Sequence, residues 1–310
     1  MSASPLIEAT ADLSSVLPST RYFEIDSEGV GARFAVWVTL PLLYDREDTA
    51  YPLVFQADGN KAAPSTASAY GLLRDDPINP IKPFIQVCVG YPAEDAARLL
   101  AVRARDLLPP GEPLAPGADE STIERLPAAG ILSEADARLY LEHLRDPHAD
   151  RFLTFLTEEL DPALRARYRV SDEGTGLHGF SYGGLFASYA ALSTDHFDVV
   201  GAGSPGILME STVLDLYDLA AKDPTRPTAG HLHVTVCERE LTYASSYQDL
   251  VGQGAVELLA RAGRNPVEGL TVTSAFTPTE SHATGSAVSY FSFLRECYGA
   301  ESVTGTLRRV

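Results

Sequence analysis

The residues best suited to covalent chemistry lie in Gly179-Phe180-Ser181-Tyr182-Gly183-Gly184. A strand-like run, Gly176 to Phe180, leads into them, and a small-residue stretch with Ala187, Ser188, Ala190 and Ala191 follows. A sharp strand-to-helix bend there holds Ser181 in a strained conformation with its hydroxyl presented outward. Cβ atoms at Gly179 and Gly183 would collide in so tight a bend, and Gly184 lets the new helix approach the sheet. The helix N-terminus adds partial positive charge and the Tyr182 N–H, placed for a developing oxyanion.

A serine hydroxyl needs a general base, and the base needs a carboxylate to orient it. With the nucleophile on a bend of this kind, the chain order is serine, acid, histidine, each partner standing just past a later strand. His282, in Glu280-Ser281-His282-Ala283, follows the apolar run that ends at Phe276 and precedes the last helical stretch. The acid belongs after the run ending at Cys237, where Glu238 and Glu240 both stand, with Asp249 farther along. Glu240, three residues past the strand, sits where a loop can bend its carboxylate toward His282. Glu238 still follows strand alternation and is the alternative acid. The second oxyanion donor belongs in Gln56-Ala57-Asp58-Gly59-Asn60, with a tight turn at Gly59 directing the Asn60 N–H inward. Of the other histidines, His178 is expected to be buried in its strand, and His143, His148 and His196 exposed in helix or loop. His231 and His233 share one strand face at a metal-pair spacing, but no third ligand stands near, so no metal is expected.

These groups need a scaffold. Arg21 to Asp26 and Ala32 to Leu40 alternate as half-buried strands around a Gly29–Gly31 turn, an antiparallel hairpin. Short runs apolar throughout come next: Leu53 to Phe55, Pro83 to Val89, Gly176 to Phe180, Phe197 to Ala202, His231 to Cys237 and Leu270 to Phe276. Helical patterns lie between them, at 65–74, 94–104, 149–167, 183–193, 211–221, 243–263 and 284–298. This alternation predicts an α/β fold with a mostly parallel central sheet and helices on both faces, its reactive groups at the carboxyl ends of the strands. Pro109 to Asp146 interrupts the rhythm with two short helices, Ser121–Leu126 and Ser133–Leu144, the second N-capped by Ser133. It is read as an insertion in one domain spanning 1–310, either a lid over the site or a solvent-facing excursion. The first 20 residues are weakly patterned and expected to run along the surface.

Acidic residues outnumber basic ones 42 to 24, a formal charge of −18, and lysine is confined to Lys61, Lys82 and Lys222. Such a surface repels polyphosphate, so nucleic acid is an unsuitable partner. Cys88, Cys237 and Cys297 stand in apolar or helical contexts and read as buried thiols of a reducing compartment. Neither a signal peptide nor an apolar run near the roughly 18 residues of a membrane span is recognisable, so a cytoplasmic location is expected.

Taken in order, the chain resembles the putative-esterase branch of the α/β-hydrolases, which includes enterochelin (siderophore) esterases, esterase D and the mycolyltransferases. Gly179 to Gly184 is similar to that group's nucleophile elbow, and Asp58-Gly59-Asn60 to its oxyanion loop. Arg103-Ala104-Arg105-Asp106-Leu107-Leu108-Pro109 resembles its R-x-R-D segment, and Phe152 to Leu160 the helix before the elbow. Cys237-Glu238-Arg239-Glu240 is similar to its G-E-x-E, with cysteine in place of the usual glycine, and Ser281-His282-Ala283 to its histidine segment. After Ser204-Pro205, where relatives often carry aromatics, this chain has Gly206-Ile207-Leu208-Met209. The resemblance implies the α/β-hydrolase fold and a cofactor-free serine hydrolase acting on a small-molecule ester or lactone through an acyl-enzyme. Its catalytic residues are Ser181, His282 and Glu240, with the Tyr182 and Asn60 N–H groups in the oxyanion hole. Acyl transfer to another alcohol, or a catalytically silent binding scaffold, are the alternatives; a homo-oligomer is left open.

Overall fold

Runs that are apolar on both faces lose their contact with water only inside a sheet covered on both sides. The chain, in a computed structural model, builds such a sheet; residues 17–300 are described, apart from Ala97 and Ala118. The expected surface run of the first residues lies outside them as far as Val16. Eight strands follow in chain order: β1 (Thr20–Ser27), β2 (Ala32–Thr39), β3 (Leu53–Gln56), β4 (Ile85–Gly90), β5 (Gly176–Phe180), β6 (Val199–Gly203), β7 (His231–Cys237) and β8 (Thr271–Thr277). They form one sheet in the order β1-β2-β4-β3-β5-β6-β7-β8. The β1–β2 and β2–β4 pairings are antiparallel and all the others parallel. The hairpin of the sequence reading is therefore the antiparallel edge of a parallel sheet.

Alternation along each strand divides the core in two. Leu53 and Phe55 of β3 join the larger cluster with Phe155, Leu185 and Phe186, while Val54 between them joins Tyr70, Tyr290 and Phe293 on the opposite face. The helices Gly59–Asp75 and Gly285–Cys297 cover that second face, and the helix Tyr182–Ala191 packs on the first. The edge strand β1 is only partly buried, as its alternation required. Strand β8, expected to be buried like the other apolar runs, lies at the opposite edge and is also only partly buried, with Phe276 exposed.

Several helix boundaries differ from expectation. The first major helix starts at Gly59, not near residue 65, and carries Pro64 in its second turn. The stretch 149–167 contains a π-helical turn at Phe155–Leu160. The expected helix 243–263 has a separate short helix, Glu238–Thr242, before it and a π-helical turn at Gln248–Gly252 within it. In the 109–146 segment the helices are Glu120–Ile123 and Glu134–Arg145, and Ser133 caps the second by accepting the Asp136 N–H. Among the described residues no helix is long and apolar enough to cross a membrane.

Candidate active site

The parallel ladder brings the ends of β3, β5, β6, β7 and β8 side by side, so residues far apart in sequence meet along one rim. At the end of β5 the chain bends through Ser181, whose backbone sits at φ 61°, ψ −118°. A non-glycine residue there costs of order 1–3 kcal/mol and persists only when its surroundings hold it. The Ser181 N–H donates to the Gly203 carbonyl at 2.9 Å, and the Ser181 carbonyl accepts from Leu185 and Gly206. A Cβ at Gly179 would run into the Gly183 carbonyl, so that glycine is obligatory. Gly183 is less confined than the sequence reading had it: a Cβ there would only press on Asp58 and Ala57 at 3.3–3.4 Å.

His282, past β8, has its Nε2 2.9 Å from Ser181 Oγ and its Nδ1 2.6 Å from Glu240 Oε1. A carboxylate only accepts, so Nδ1–H donates to Glu240 and Nε2 is left to accept from the Ser181 hydroxyl. Glu240 is 1% exposed, and its other oxygen accepts from Ser204 Oγ at 2.8 Å and the Cys237 N–H at 2.9 Å. Both carboxylate oxygens are thus occupied and the side chain cannot swing. It stands on the helix Glu238–Thr242, where a flexible loop had been expected. Glu238 is exposed and accepts the Thr279 N–H at 2.6 Å; Asp249 is exposed and accepts from Gln253. Neither meets His282. Cys237, in the place of a glycine, leaves the acid in position because it acts through its N–H; its thiol is buried beside Ser204, and burial pushes it up.

Tyr182 opens the helix after the elbow. Around the other loop, a tight turn had been expected at Gly59, and it is Asp58, one residue earlier, that takes the left-handed conformation (φ 60°). Gly59 is required for a different reason: a Cβ on it would overlap the backbone of Val89 and Cys88. Asn60 follows in the first turn of the helix, and its side chain clamps Tyr91, donating to the carbonyl at 2.7 Å and accepting the N–H at 2.8 Å.

Four residues at the rim had no role in the sequence reading. Arg103 forms a two-pronged ion pair with Asp58, and its guanidinium lies 5.4 Å from the centre of the Tyr182 ring. Arg103 thereby ties the loop at Asp58 to the bend after β5. Tyr247 stacks on the His282 imidazole at 4.2 Å and 18°. Tyr140, from the inserted segment, meets the Tyr182 hydroxyl at 3.1 Å. Ser204 holds Glu240, and only its place at the end of the strand between those that lead to Ser181 and Glu240 hints at that. The remaining histidines are engaged elsewhere. His178 is buried and, by desolvation, pushed down to about 3. His231 and His233 both meet the Thr273 hydroxyl. His143 and His196, expected to be exposed, are half-buried: His143 Nδ1 lies 2.8 Å from the Ala101 carbonyl, and His196 contacts Asp161. His148, also expected exposed, is half-buried beside Asp146. Among the described residues no group of three or more His, Cys, Asp or Glu could hold a metal ion.

Two cavities open at this rim, both bordered by Ser181, His282, Arg103 and Tyr247. One, of about 350 Å³, is evenly polar and apolar, with Gln56, Asp58 and Lys61 in its wall. The other, of about 220 Å³, is mostly apolar, walled by Leu100, Leu108, Leu185 and Leu208 together with Glu112, Ala115 and Leu144 of the inserted segment.

Residues 122–227 match a family model described as "Putative esterase". A siderophore enterobactin esterase of Emericella nidulans is 32% identical over 126 residues, which cover 40% of this chain and 36% of that protein. The chain therefore spans little more than a third of that relative. Among solved structures, siderophore hydrolase EstA of Aspergillus nidulans superposes with a TM-score of 0.71 at 20% identity, over 95% of this chain and 99% of the other. An IroE-like serine hydrolase of Shewanella oneidensis gives 0.66 at 20% identity, over 89% and 79%. At those identities the likeness is one of fold, and the fold is that of the α/β-hydrolases.

Proposed function

We propose that this α/β-hydrolase-fold chain, matched over residues 122–227 by the putative-esterase family, hydrolyses small-molecule carboxylic esters or lactones through an acyl-enzyme on Ser181. The observation that carries the reading is the unbroken run of hydrogen bonds from Ser181 through His282 to a buried Glu240, at the junction of two cavities. Ser181 Oγ attacks the ester carbonyl while His282 Nε2 takes its proton. Glu240 stabilises the imidazolium and keeps Nδ1 the protonated nitrogen. The N–H groups of Tyr182 and Asn60 receive the oxyanion; one such donor is worth about 3–4 kcal/mol in the transition state. The imidazolium then protonates the departing alkoxide, and water repeats the sequence on the acyl-enzyme. The two cavities separate the acyl and alkoxy parts of the substrate, one side of mixed polarity and the other mostly apolar. Three unpaired cysteines fit a reducing compartment, and the proposal places the chain in the cytoplasm.

A fluorophosphonate probe, read by mass spectrometry, tests the nucleophile. One adduct on Ser181 in the wild type and none in Ser181→Ala is the expected outcome. An ester and lactone panel should show kcat reduced roughly 10⁴- to 10⁶-fold in that variant. Unlabelled, folded wild-type protein, or a variant that keeps most of its activity, would overturn the proposal.

A further inference from the structure

The apolar cavity has one carboxylate in its wall. Glu112 is 8% exposed, and its Oε2 accepts the Thr212 N–H at 3.1 Å and the Thr212 hydroxyl at 2.6 Å. Its Oε1 is buried without a hydrogen-bond partner among the described residues. Arg103, the cation in the same wall, is committed to Asp58. A carboxylate left half-satisfied among leucines is costly, and natural proteins rarely tolerate it without a use.

A structural duty, the tie to Thr212, accounts for one oxygen and not for the other. Thr212 opens the helix Thr212–Ala220, but Ser211 already caps that helix by accepting the Val213 N–H. One oxygen suffices for both Thr212 bonds, and a neutral amide would make them without burying charge. The second oxygen is left without a partner on a residue that borders a cavity also lined by Ser181 and His282.

We propose that Glu112 is a specificity residue that receives a hydrogen-bond-donating head group, an ammonium or a hydroxyl, on the ester chain lodged in the apolar cavity. The inference rests on the hydrolase reading and adds to it the chemistry of one end of the substrate. The leucines accept the methylene part of the chain, and Oε1 rewards only a chain whose far end donates. Burial pushes the Glu112 carboxyl above its ordinary range, against the pull of the Thr212 bonds; an arriving cation restores the charged form.

The test is the ratio of kcat/KM for donor-ended over methyl-ended esters of matched length. In one series the head group, amino or hydroxyl, ends the acyl chain of p-nitrophenyl esters; in a second it ends the alcohol of acetate esters. The wild type should favour the donor-ended member roughly 10- to 100-fold in one of the two series, as for a hydrogen bond to a charged group. The amino and hydroxyl arms tell which donor is preferred. Glu112→Gln should bring that ratio close to one, and Glu112→Asp should keep it while moving the optimum to a longer chain. A wild-type ratio near one at every length in both series overturns the inference without recourse to any variant. So does a folded Glu112→Gln that keeps the full preference. Turnover of methyl-ended esters with no donor preference sinks Glu112 alone, whereas no turnover and no fluorophosphonate adduct sinks the hydrolase reading beneath it.

Discussion

Glu240→Gln is the perturbation that bears most directly on the acid, because the pocket around that side chain leaves an amide no satisfactory orientation. Glu240 now accepts from one donor that cannot reverse, the Cys237 N–H at 2.9 Å, from His282 Nδ1–H at 2.6 Å, which reverses only if the imidazole changes tautomer, and from the Ser204 hydroxyl at 2.8 Å, which rotates freely. An amide offers one oxygen. If that oxygen turns to Cys237, the NH₂ faces His282, and the imidazole relieves the clash by moving its proton to Nε2. The nitrogen facing Ser181 then donates where it must accept. If the oxygen turns to His282, the NH₂ is driven against the Cys237 N–H in a site 1% exposed, and the short helix Glu238–Thr242 must shift. The first outcome corresponds to the wrong-tautomer state of serine hydrolases, a loss of about 10⁴ in kcat, or about 5.5 kcal/mol at 1.36 kcal/mol per decade. Glu238→Gln, by contrast, keeps an oxygen for the Thr279 N–H on an exposed surface and should change kcat less than about threefold. Steady-state hydrolysis of a p-nitrophenyl ester compares the two, with circular dichroism to establish folding. The reasoning fails if Glu238→Gln is the crippled variant, or if folded Glu240→Gln stays within tenfold of wild type, about 1.4 kcal/mol.

Two further perturbations act on groups beside the site. Tyr247→Ala removes the ring stacked on His282 and should lower kcat/KM about 2- to 12-fold, the equivalent of 0.5–1.5 kcal/mol, with Tyr247→Phe restoring it; a rise in KM alone, with kcat intact, would contradict a positioning role. His178, pushed down to about 3 from 6.5 by burial, stays neutral in the folded chain while the unfolded chain takes up a proton below pH 6.5. Its contribution to stability is therefore complete above pH 6.5 and is lost as pH falls toward 3. At about 1.4 kcal/mol per pH unit, some 2 kcal/mol goes between pH 6.5 and 5. Urea unfolding at both pH values should show this acid-side loss in wild type and a loss smaller by about that amount in His178→Gln; equal losses would refute it.

What was legible in the sequence was what local pattern and chain order determine. The strand β5 and the bend at Ser181 are local, since a run without alternation followed by glycines at fixed offsets admits few other geometries. His282 and the short list Glu238, Glu240 came from chain order, because each follows a strand that the apolar runs had already marked. Ser133 as N-cap needed only its own side chain and the acids after it. Partnerships across the rim were not legible. Ser204 supports an acid 36 positions on, Arg103 reaches back 45 positions to Asp58, and Tyr247 meets His282 only because the chain bends between two helices before the π-helical turn at Gln248–Gly252. These contacts depend on strand order and helix packing, of which periodicity carries no trace. The different settings of Glu240 and Glu238 arise in the same way: the helical turn that lifts one carboxylate into the core and leaves the other in solvent begins one residue after the strand.

The inserted segment is where structure changes the experiment as well as the interpretation. A lid can be removed with its body left standing, and on that expectation excision of 114–144 would alter KM or selectivity more than folding. Yet Ile123, Ala137, Tyr140 and Leu144 are buried members of the main core, His143 bonds the Ala101 carbonyl, and Tyr140 reaches the Tyr182 hydroxyl. At about 1.5–3 kcal/mol for each large side chain, losing Ile123, Tyr140 and Leu144 removes about 5–9 kcal/mol, comparable to the whole stability of a domain. Excision should therefore unfold the protein and say nothing of substrate. A wall calls for a smaller change. Ala115 is half-buried in the lining of the apolar cavity, so Ala115→Trp should fill part of its 220 Å³ and raise KM for long-chain esters more than for acetate. Leu144→Ala should act the other way, admitting bulkier chains at a cost of about 2–5 kcal/mol in stability. If Ala115→Trp folds with an unchanged melting temperature and the same chain-length profile as wild type, the segment does not border the bound substrate. The wall, and with it the division of the ester between two cavities, would then have to be abandoned.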